Sequence, residues 1–389
     1  MGKTKRILFI THKTSGAPAR YRVQALSSGI SDLGINVAVT HPELPDLLEE
    51  LNNSSHVILF RLWATEHLIE SLAVAQANNP DLIVGFDVDD PLWVKFDVQT
   101  DEEKRNTEAM QTLMRGCDFM LGSTRELALR GGQFADMPGF HTPNSVHPQS
   151  LQASQRARRL PRIPGGGQRI DFQSGSGTHS EHWEVAEKAV LHYLENNPKS
   201  SLFMFGIAPW TENLDKFRKQ VVQIPLMDWL DLPYWINQMD LVVSPVGGVE
   251  WGANTKSAIK WLEAALVRTP TVASSTEPFR AAITDGVTGF LCDKDGWDGA
   301  IERALNTKSL RKVRKAAYQQ AVTECSAKNS AKILLDGLKD IVPLRRFRDL
   351  EGTYGEIKLA DGRLSLHPAR EKERLPRSLQ AKLFLQSYK

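Results

Sequence analysis

A stretch in the second half of the chain, NTKSAIKWLEAALVRTPTVAS (residues 254–274), combines charged side chains with an otherwise apolar pattern. On a helix, Lys256, Lys260 and Glu263 lie at positions i, i+4 and i+7 and therefore share one face. The remaining positions are largely apolar, which is typical of a mostly buried helix. We therefore expect the narrow charged stripe to line a crevice.

Two lysines at the start of a helix are unfavourable by themselves, because the positive end of the helix dipole lies there. An anion bound between the lysines and the free backbone N–H groups of residues 254–257 would offset this effect, and phosphate or diphosphate fits best. The alternative is that Lys260 and Glu263 form an ordinary pair on a solvated face, worth about 0.2–0.5 kcal/mol. The preceding segment GGVEWGAN (247–254) is a glycine-containing loop after an apolar strand, which favours the phosphate site.

Short apolar runs alternate with longer amphipathic stretches along most of the chain, which is the pattern of parallel α/β sheets. The opening segments RILFIT, RYRVQALSSGISDLG and INVAVT predict a strand, a helix and a strand. The pattern stops between residues 143 and 167, where proline, glycine, serine and basic residues show no periodicity, and resumes at RIDFQSG (169–175). The sequence therefore predicts an α/β protein with two facing, Rossmann-like, doubly wound domains and a ligand crevice between them.

We place the first domain at residues 1–150, a linker at 151–168, the second domain at 169–340 and a C-terminal extension at 341–389. Basic residues outnumber acidic ones in the extension, where a hairpin around Asp361 and Gly362 is expected before a basic helix. This tail indicates peripheral contact with an anionic surface, either a membrane or nucleic acid. The alternative is a solvated tail that docks on the first domain.

The bulk composition excludes several classes of protein. Hydrophobic residues make up 41% and charged residues 24% of the 389 residues, which is a globular balance. A net charge of +2 does not indicate a general nucleic-acid-binding protein. The three cysteines lack metal or disulfide spacing, and no apolar run approaches the roughly 18 residues of a membrane span. We expect a cytoplasmic protein, at most peripheral to a membrane.

The segments EAALVRTPTVAS and DGVTGFLC resemble, in the same order, the pattern of GT-B glycosyltransferases, in particular retaining glycosyltransferase family 4. The segment KSAIKWLE is similar to the KSxxKxLE pattern of a sub-branch of rhamnosyl and other polysaccharide-building transferases. The resemblance implies a GT-B fold and retaining transfer of a sugar from a nucleotide-diphosphate sugar to an acceptor hydroxyl, with no required cofactor or metal. It is specific only between residues 245 and 291.

The same resemblance implies roles for individual residues. Glu263 would hold the ribose hydroxyls of the donor, and Lys256 and Lys260 would contact its diphosphate. Further donor contacts are expected at Gly16 in the first domain, at Ser176, Gly177, Thr178 and His179 in the first loop of the second, and at Asn254, Thr255 and Ser257. Thr178 has an ordinary helix N-cap as its alternative. Arg20 and Arg22 would reach phosphate or acceptor, unless they lie on an exposed helix face.

The motif GFDVDDPLW contains a DxD at Asp87 and Asp89, a pattern that binds a divalent metal in the other large glycosyltransferase fold. In the sub-branch that this chain resembles, a similar DxDD ends a first-domain strand that faces the cleft. We therefore expect Asp87, Asp89 and Asp90, with Arg61 nearby, to bind the acceptor or shape the cleft rather than to ligate metal.

Two positions depart from the family pattern. Thr255 stands where many members carry a second glutamate, and Arg61 and Trp63 stand near the usual place of a histidine that lies close to the sugar. The donor sugar and the acceptor therefore stay open, the latter between glycan, lipid-linked sugar, protein and nucleic acid. Rival interpretations are a transferase that glycosylates a modified base in phage DNA, a non-catalytic nucleotide-sugar-binding module, and a GT-B-shaped epimerase or phosphorylase.

Overall fold

A computed structural model describes residues 6–94, 100–175, 180–344 and 347 of the chain. It contains two six-stranded parallel sheets with helices around them, so the predicted α/β architecture is confirmed. The strand orders are β2-β1-β3-β4-β5-β6 and β12-β11-β10-β7-β8-β9. In each sheet the chain order reverses beside the first strand, which is the switch point where open α/β sheets bind ligands.

The first sheet comprises β1 (Arg6–Ile10), β2 (Asn36–Thr40), β3 (His56–Phe60), β4 (Ile83–Val88), β5 (Phe119–Gly122) and β6 (Gly139–His141). Its surrounding helices are α1 (Ala17–Ala19), α2 (Ala25–Ser31), α3 (Leu47–Asn52), α4 (Glu66–Asn78), α5 (Asp101–Arg115) and α6 (Arg125–Ala135). A π-helix, Arg20–Gln24, joins α1 to α2.

Helix α7 (Pro148–Ala157) follows, and the second sheet comprises β7 (Arg169–Ser174), β8 (Ser201–Gly206), β9 (Val221–Ile224), β10 (Leu241–Ser244), β11 (Thr271–Ser274) and β12 (Phe290–Cys292). The later helices are α8 (Ser180–Asn196), α9 (Leu232–Gln238), α10 (Glu250–Ala253), α11 (Ile259–Leu266), α12 (Glu277–Ala282), α13 (Trp297–Asn306), α14 (Leu310–Thr323) and α15 (Ala327–Gly337). Short 3₁₀ helices cover Glu212–Phe217 and Leu338–Asp340.

Burial on both faces explains why the strands read as continuous apolar runs. All six residues of β4 are buried, as a strand covered by helices on both sides requires. In β1, Leu8 packs into the core on one face of the sheet, and Ile7 and Phe9 pack into the core on the other.

The last helix of the second half returns to the first domain. Helix α15 packs on α2, and its Ala331 and Leu334 join the core that contains Phe9. Gly29 permits this close approach, because a Cβ at that position would lie 2.1 Å from the carbonyl oxygen of Ala327. The predicted span 169–340 therefore needs a correction: its last helix completes the core of the first domain.

The segment predicted as a linker, 151–168, is partly helical. Helix α7 begins at Pro148, whose fixed φ suits the first helical position, and His147 Nδ1 accepts a hydrogen bond from the Gln149 N–H at 3.3 Å. Because α7 packs against α9 and α11, the first part of this segment supports the cleft.

The hairpin and basic helix predicted after residue 350 lie outside the described residues. In the described part of the chain, no helix is both long and apolar enough to cross a bilayer.

Candidate functional site

Of the predicted site residues that the structure describes, Lys256, Ser257 and Glu263 face the first domain across the cleft. In the described part of the chain, three hydrogen bonds between side chains join the domains there. Lys256 contacts Asp90, Glu263 contacts Tyr21, and Ser257 contacts Asn144. Two of the three residues predicted to carry the chemistry, Lys256 and Glu263, therefore have a direct partner in the opposite domain.

The charged helix begins later than predicted. Helix α11 starts at Ile259, so Lys256 precedes it and only Lys260 lies in its first turn. An additional short helix, α10, accounts for the late start of α11. The N–H groups of residues 254–256 donate to carbonyl groups of residues 250–253, so these residues are hydrogen-bonded to α10. These three N–H groups are consequently not free for an anion, which corrects the prediction for residues 254–256.

The polar residues between α10 and α11 mainly stabilise the loop. The Asn254 side chain accepts a hydrogen bond from the first N–H group of α12 at 3.0 Å. Thr255 is 1% exposed, and its hydroxyl donates to the Gly252 carbonyl at 2.7 Å. Ser257 instead faces the first domain, where its hydroxyl accepts a hydrogen bond from Asn144 Nδ2 at 3.0 Å.

Glu263 lies one turn after Lys260 and reaches across the cleft. Its carboxylate accepts a hydrogen bond from the Tyr21 hydroxyl, and Arg20 Nη2 lies 4.0 Å from the same oxygen. Both partners belong to the π-helix, a rare helix type found mostly at functional sites. This helix follows the exposed turn at Gly16, whose φ of 95° favours glycine. Burial and the nearby Glu263 raise the pKa of Tyr21, which keeps its hydroxyl a donor.

Arg20 completes this side of the cleft. Its guanidinium carbon lies 4.4 Å from the centre of the Trp229 ring, and only 6% of the residue is exposed. A guanidinium stacked on an indole gains a cation–π contact. The pocket beside it has Arg20, Tyr21, Trp229 and Glu263 in its wall, together with apolar residues of α9 and α11.

Lys260 lies near two carboxylates, those of Glu263 and of Asp171 in β7. Burial lowers the pKa of Lys260, and the two carboxylates oppose this effect. Asp171 is fully buried; Gln173 Nε2 donates to its Oδ2 at 2.7 Å, whereas its Oδ1 has no hydrogen-bond partner among the described residues. Burial raises the pKa of Asp171 to about 7, against the influence of Gln173 and Lys260. Asp171 was not among the predicted site residues, although an aspartate inside the apolar strand RIDFQS is a visible signal.

Four charged side chains, which we name the cleft ion cluster, connect β3 and β4 with the second domain: Arg61, Asp89, Asp90 and Lys256. Arg61 donates from Nε to Asp89 and from Nη2 to Asp90 Oδ2 at 2.9 Å. Lys256 Nζ donates to the other Asp90 oxygen at 3.1 Å. Burial raises the pKa of Asp89, and Arg61 opposes that shift. Arg61, Asp89 and Asp90 thus lie together at the cleft, and Lys256 is a second partner of Asp90.

Asp87 and Arg22 form a buried ion pair inside the first domain. Both side chains are fully buried; Arg22 Nη2 donates to Asp87 Oδ1 at 2.7 Å, and its Nη1 donates to the Thr142 carbonyl. Arg22 therefore does not reach phosphate or acceptor, which corrects the prediction, and Asp87 shapes the domain. Burial raises the pKa of Asp87 to about 6, and Arg22 opposes it. Among the described residues, no three His, Cys, Asp or Glu side chains are grouped so as to hold a metal.

The glycine loop after β10 packs on the start of α8. The Gly247 N–H donates to His182 Nδ1 at 3.0 Å, and a Cβ on Gly247 would lie 2.2 Å from the Glu181 carbonyl oxygen. Burial, with Lys256 and Lys260 nearby, lowers the pKa of His182 to about 4, so its imidazole is neutral at pH 7. His182 follows the predicted phosphate loop and was not among the predicted site residues. That loop, with Ser176, Gly177, Thr178 and His179, lies outside the described residues.

Residues 178–307 match the family model described as glycosyl transferases group 1. No curated protein matches the chain by sequence. Among solved structures, HepE of Anabaena in complex with UDP and glucose has 12% identity and a TM-score of 0.58, over 86% of this chain and 99% of that one.

Two further structures show the same likeness. A glycosyltransferase from Rickettsia africae has 11% identity and a TM-score of 0.57, over 86% of this chain and 99% of that one. Sucrose-phosphate synthase from Thermosynechococcus elongatus has 13% identity and a TM-score of 0.57, with coverages of 86% and 98%. At these identities the likeness establishes the fold, which is the predicted GT-B arrangement. The chain thus has a GT-B-like fold, and residues 178–307 in its second half match the family model of glycosyl transferases group 1.

Proposed function

We propose that the protein is a retaining glycosyltransferase that moves a sugar from a nucleotide-diphosphate sugar to an acceptor hydroxyl, in glycan or glycoconjugate synthesis. One observation carries the proposal. Lys256, Lys260 and Glu263 lie within the residues that match group 1 glycosyl transferases, and Lys256 and Glu263 contact the first domain across the cleft. The Anabaena structures with UDP and with UDP-glucose support a UDP-sugar as the donor.

The contacts of Glu263 with Tyr21 and of Lys256 with Asp90 support this placement of the donor. In each contact, the first-domain side chain offers the same kind of group as the donor would. The Tyr21 hydroxyl donates to Glu263 as a ribose hydroxyl would. The Asp90 carboxylate accepts from Lys256 as a phosphate oxygen would. Donor binding would therefore exchange one partner for another of the same type, and no buried charge would be left unpaired.

The leaving group determines which residues act. Transfer breaks the bond between the anomeric carbon and a diphosphate oxygen, so positive charge grows on the sugar and negative charge on the diphosphate. Lys256, Lys260 and the first N–H groups of α11 would stabilise that negative charge. These cations remove the need for a metal ion. Closure of the two domains would exclude water.

Retention requires the acceptor oxygen to attack from the side that the diphosphate leaves. The new bond forms between that oxygen and the anomeric carbon, and the hydroxyl proton passes to the departing diphosphate oxygen. We assign no side chain as nucleophile. Arg61, Asp89 and Asp90 would bind or orient the acceptor, Arg20 would hold Glu263 in place, and Gly16, Ser176, Gly177, Thr178, His179 and Ser257 would contact the donor.

We further propose a cytoplasmic location, with the basic extension at residues 341–389 in contact with an anionic surface. This part of the proposal rests on the charge of the sequence.

The test is a panel of UDP-, GDP- and dTDP-sugars scored for nucleotide release, with the wild-type protein beside Glu263→Ala and Lys260→Ala. We expect release from at least one donor, and a loss of about 10²-fold or more for Lys260→Ala, as for removal of an electrostatic contact to the transition state. Glu263→Ala removes the proposed ribose contact, so its loss should appear mainly as a higher KM for the donor. Glu302→Ala and Lys308→Ala are matched controls, because both residues are exposed on or near α13. They should retain full activity.

Three other outcomes would decide against this function. If no donor is hydrolysed or transferred and none raises the melting temperature, the transferase proposal fails. Donor binding without turnover would favour the non-catalytic module. Tight, steeply salt-dependent binding of duplex DNA would favour transfer to a modified base.

A further inference from the structure

Three aromatic rings, which we name the ring cluster, lie side by side at the ends of three adjacent strands: His41 after β2, His12 after β1 and Trp63 after β3. The His12 ring stacks on the Trp63 ring, with centres 4.2 Å apart and planes inclined by 29°. The His41 ring meets His12 edge-on at 5.3 Å. All three residues keep part of their surface exposed. The proposed donor site uses none of them.

The ring cluster continues the edge of the sheet that carries the cleft ion cluster. Strand β3 leads into both Arg61 and Trp63, and its neighbour β4 leads into Asp89 and Asp90. A ligand lying across these strand ends would touch the rings at one end and the carboxylates beside Lys256 at the other. Lys256 lies at the far end of this edge, on the proposed donor side, and we therefore place the ring cluster on the acceptor side.

The chemistry of the ring cluster fits a sugar. Flat rings offer an apolar surface to the C–H face of a pyranose, and their nitrogens can bond its hydroxyl groups. Burial, with His41 nearby, lowers the pKa of His12 to about 4, and burial also lowers the pKa of His41. Both imidazoles are therefore neutral at pH 7, and a neutral imidazole offers one donor and one acceptor, as a hydroxyl group does.

The charges around the ring cluster do not favour a polyanion. Lys13 follows His12, whereas Glu43 lies beside His41 and donates its N–H to His41 Nδ1 at 3.2 Å. In the cleft ion cluster, two carboxylates balance two cations. A nucleic-acid surface needs a clear excess of Lys and Arg on one face. This edge of the described structure has no such excess.

We propose that the ring cluster binds an uncharged sugar ring of the acceptor, so that the acceptor is a glycan rather than a nucleic acid. The inference rests on the proposed glycosyl transfer and names the acceptor class of that reaction. The sugar packs on Trp63 and His12, and its hydroxyl groups bond the imidazoles. The reacting hydroxyl then points toward Asp89 and Asp90.

Saturation-transfer NMR with maltotriose, cellotriose, mannotriose and chitotriose tests the site in the full chain with UDP present. We expect at least one trisaccharide to bind. Trp63→Ala and His41→Ala should each weaken that binding about tenfold, the size of a lost aromatic contact. His192→Ala is the matched control, because His192 is exposed and pairs with Asp298 in the second domain. It should leave sugar binding unchanged.

Because Trp63 also packs against the core, Trp63→Phe is included to keep a ring while changing little else. Melting temperature and UDP affinity report folding in every variant. Binding of none of the trisaccharides, or unchanged binding in both alanine variants, would overturn the inference. So would displacement of the sugar by a fluorescein-labelled DNA duplex. UDP affinity separates the two proposals. A protein that binds UDP but none of the trisaccharides would have an intact donor site, so only the inference about the acceptor would fail.

Discussion

Two aspartates at the end of one strand have opposite surroundings. Asp87 pairs with Arg22 inside the first domain, and both side chains are fully buried. Asp90, three residues later, pairs with Lys256 across the cleft, and 38% of its side chain is exposed. Breaking a buried pair costs about 3–5 kcal/mol, whereas an exposed pair contributes about 0–1 kcal/mol. The first pair is thus part of the framework, and a ligand anion can exchange with the second.

Arg22→Met should give the largest effect, because it leaves Asp87 buried without a cation. We expect the free energy of unfolding to fall by about 3–5 kcal/mol in urea titrations. Lys256→Met, which breaks the more exposed pair with Asp90, is the control and should cost no more than about 1 kcal/mol. Similar losses in the two variants would show that the pairs do not differ as the structure indicates.

Asp171 extends the comparison to a buried carboxyl without an arginine partner. Its pKa of about 7 lies above the ordinary value of 3.8, so its contribution to stability is complete below pH 4 and is lost as the pH rises to 7. The free energy involved is about 4 kcal/mol. Asp171→Asn should therefore lose less stability than the wild type between pH 4 and 7. Asp298→Asn, an exposed control, should follow the wild type; identical curves for Asp171→Asn would contradict the expectation.

Lys256→Ala should weaken UDP binding, because a hydrogen bond from a cation to the diphosphate is lost. Such bonds contribute about 1.5–3 kcal/mol, so we expect a roughly ten- to hundredfold higher Kd by isothermal titration calorimetry. Lys308→Ala serves as the control. Equal UDP affinity in the two variants would remove Lys256 from the donor site.

Asp90→Asn should have the smallest effect of these variants, and it should strengthen UDP binding where Lys256→Ala weakens it. The wild-type protein must separate Asp90 from Lys256 before a phosphate can take its place, and the exposed pair is worth at most about 1 kcal/mol. We therefore expect UDP to bind up to about fivefold more tightly to the variant, with little change in stability. Weaker UDP binding would mean that Asp90 supports the donor rather than competing with it.

The sequence was sufficient for the architecture because burial on both faces leaves long apolar signals such as IVGFDV in β4. It failed for β6 and β9, since a strand of three or four residues at a sheet edge carries too little pattern. It also failed for α15, because the pattern of a helix does not tell which sheet the helix covers.

At the site, residue types were predicted better than their partners. Roles for Lys256, Glu263 and the aspartates were proposed from the family resemblance, whereas their partners come from the structure: Asp90 for Lys256 and Tyr21 for Glu263. The burial of Arg22 could not be predicted, because the π-helix turns consecutive residues in different directions: Tyr21 to the cleft and Arg22 to the core. The late start of α11 depended on backbone bonds from α10 that no periodicity shows.

The return of α15 to the first domain has a consequence for synthesis. The core around Phe9 and Val23 includes Ala331 and Leu334, so the amino-terminal domain stays incomplete until the ribosome has made nearly the whole described chain. A truncated product ending before residue 327 would expose this apolar face and be a target for chaperones and proteases. The two domains, although each has its own sheet, therefore mature together.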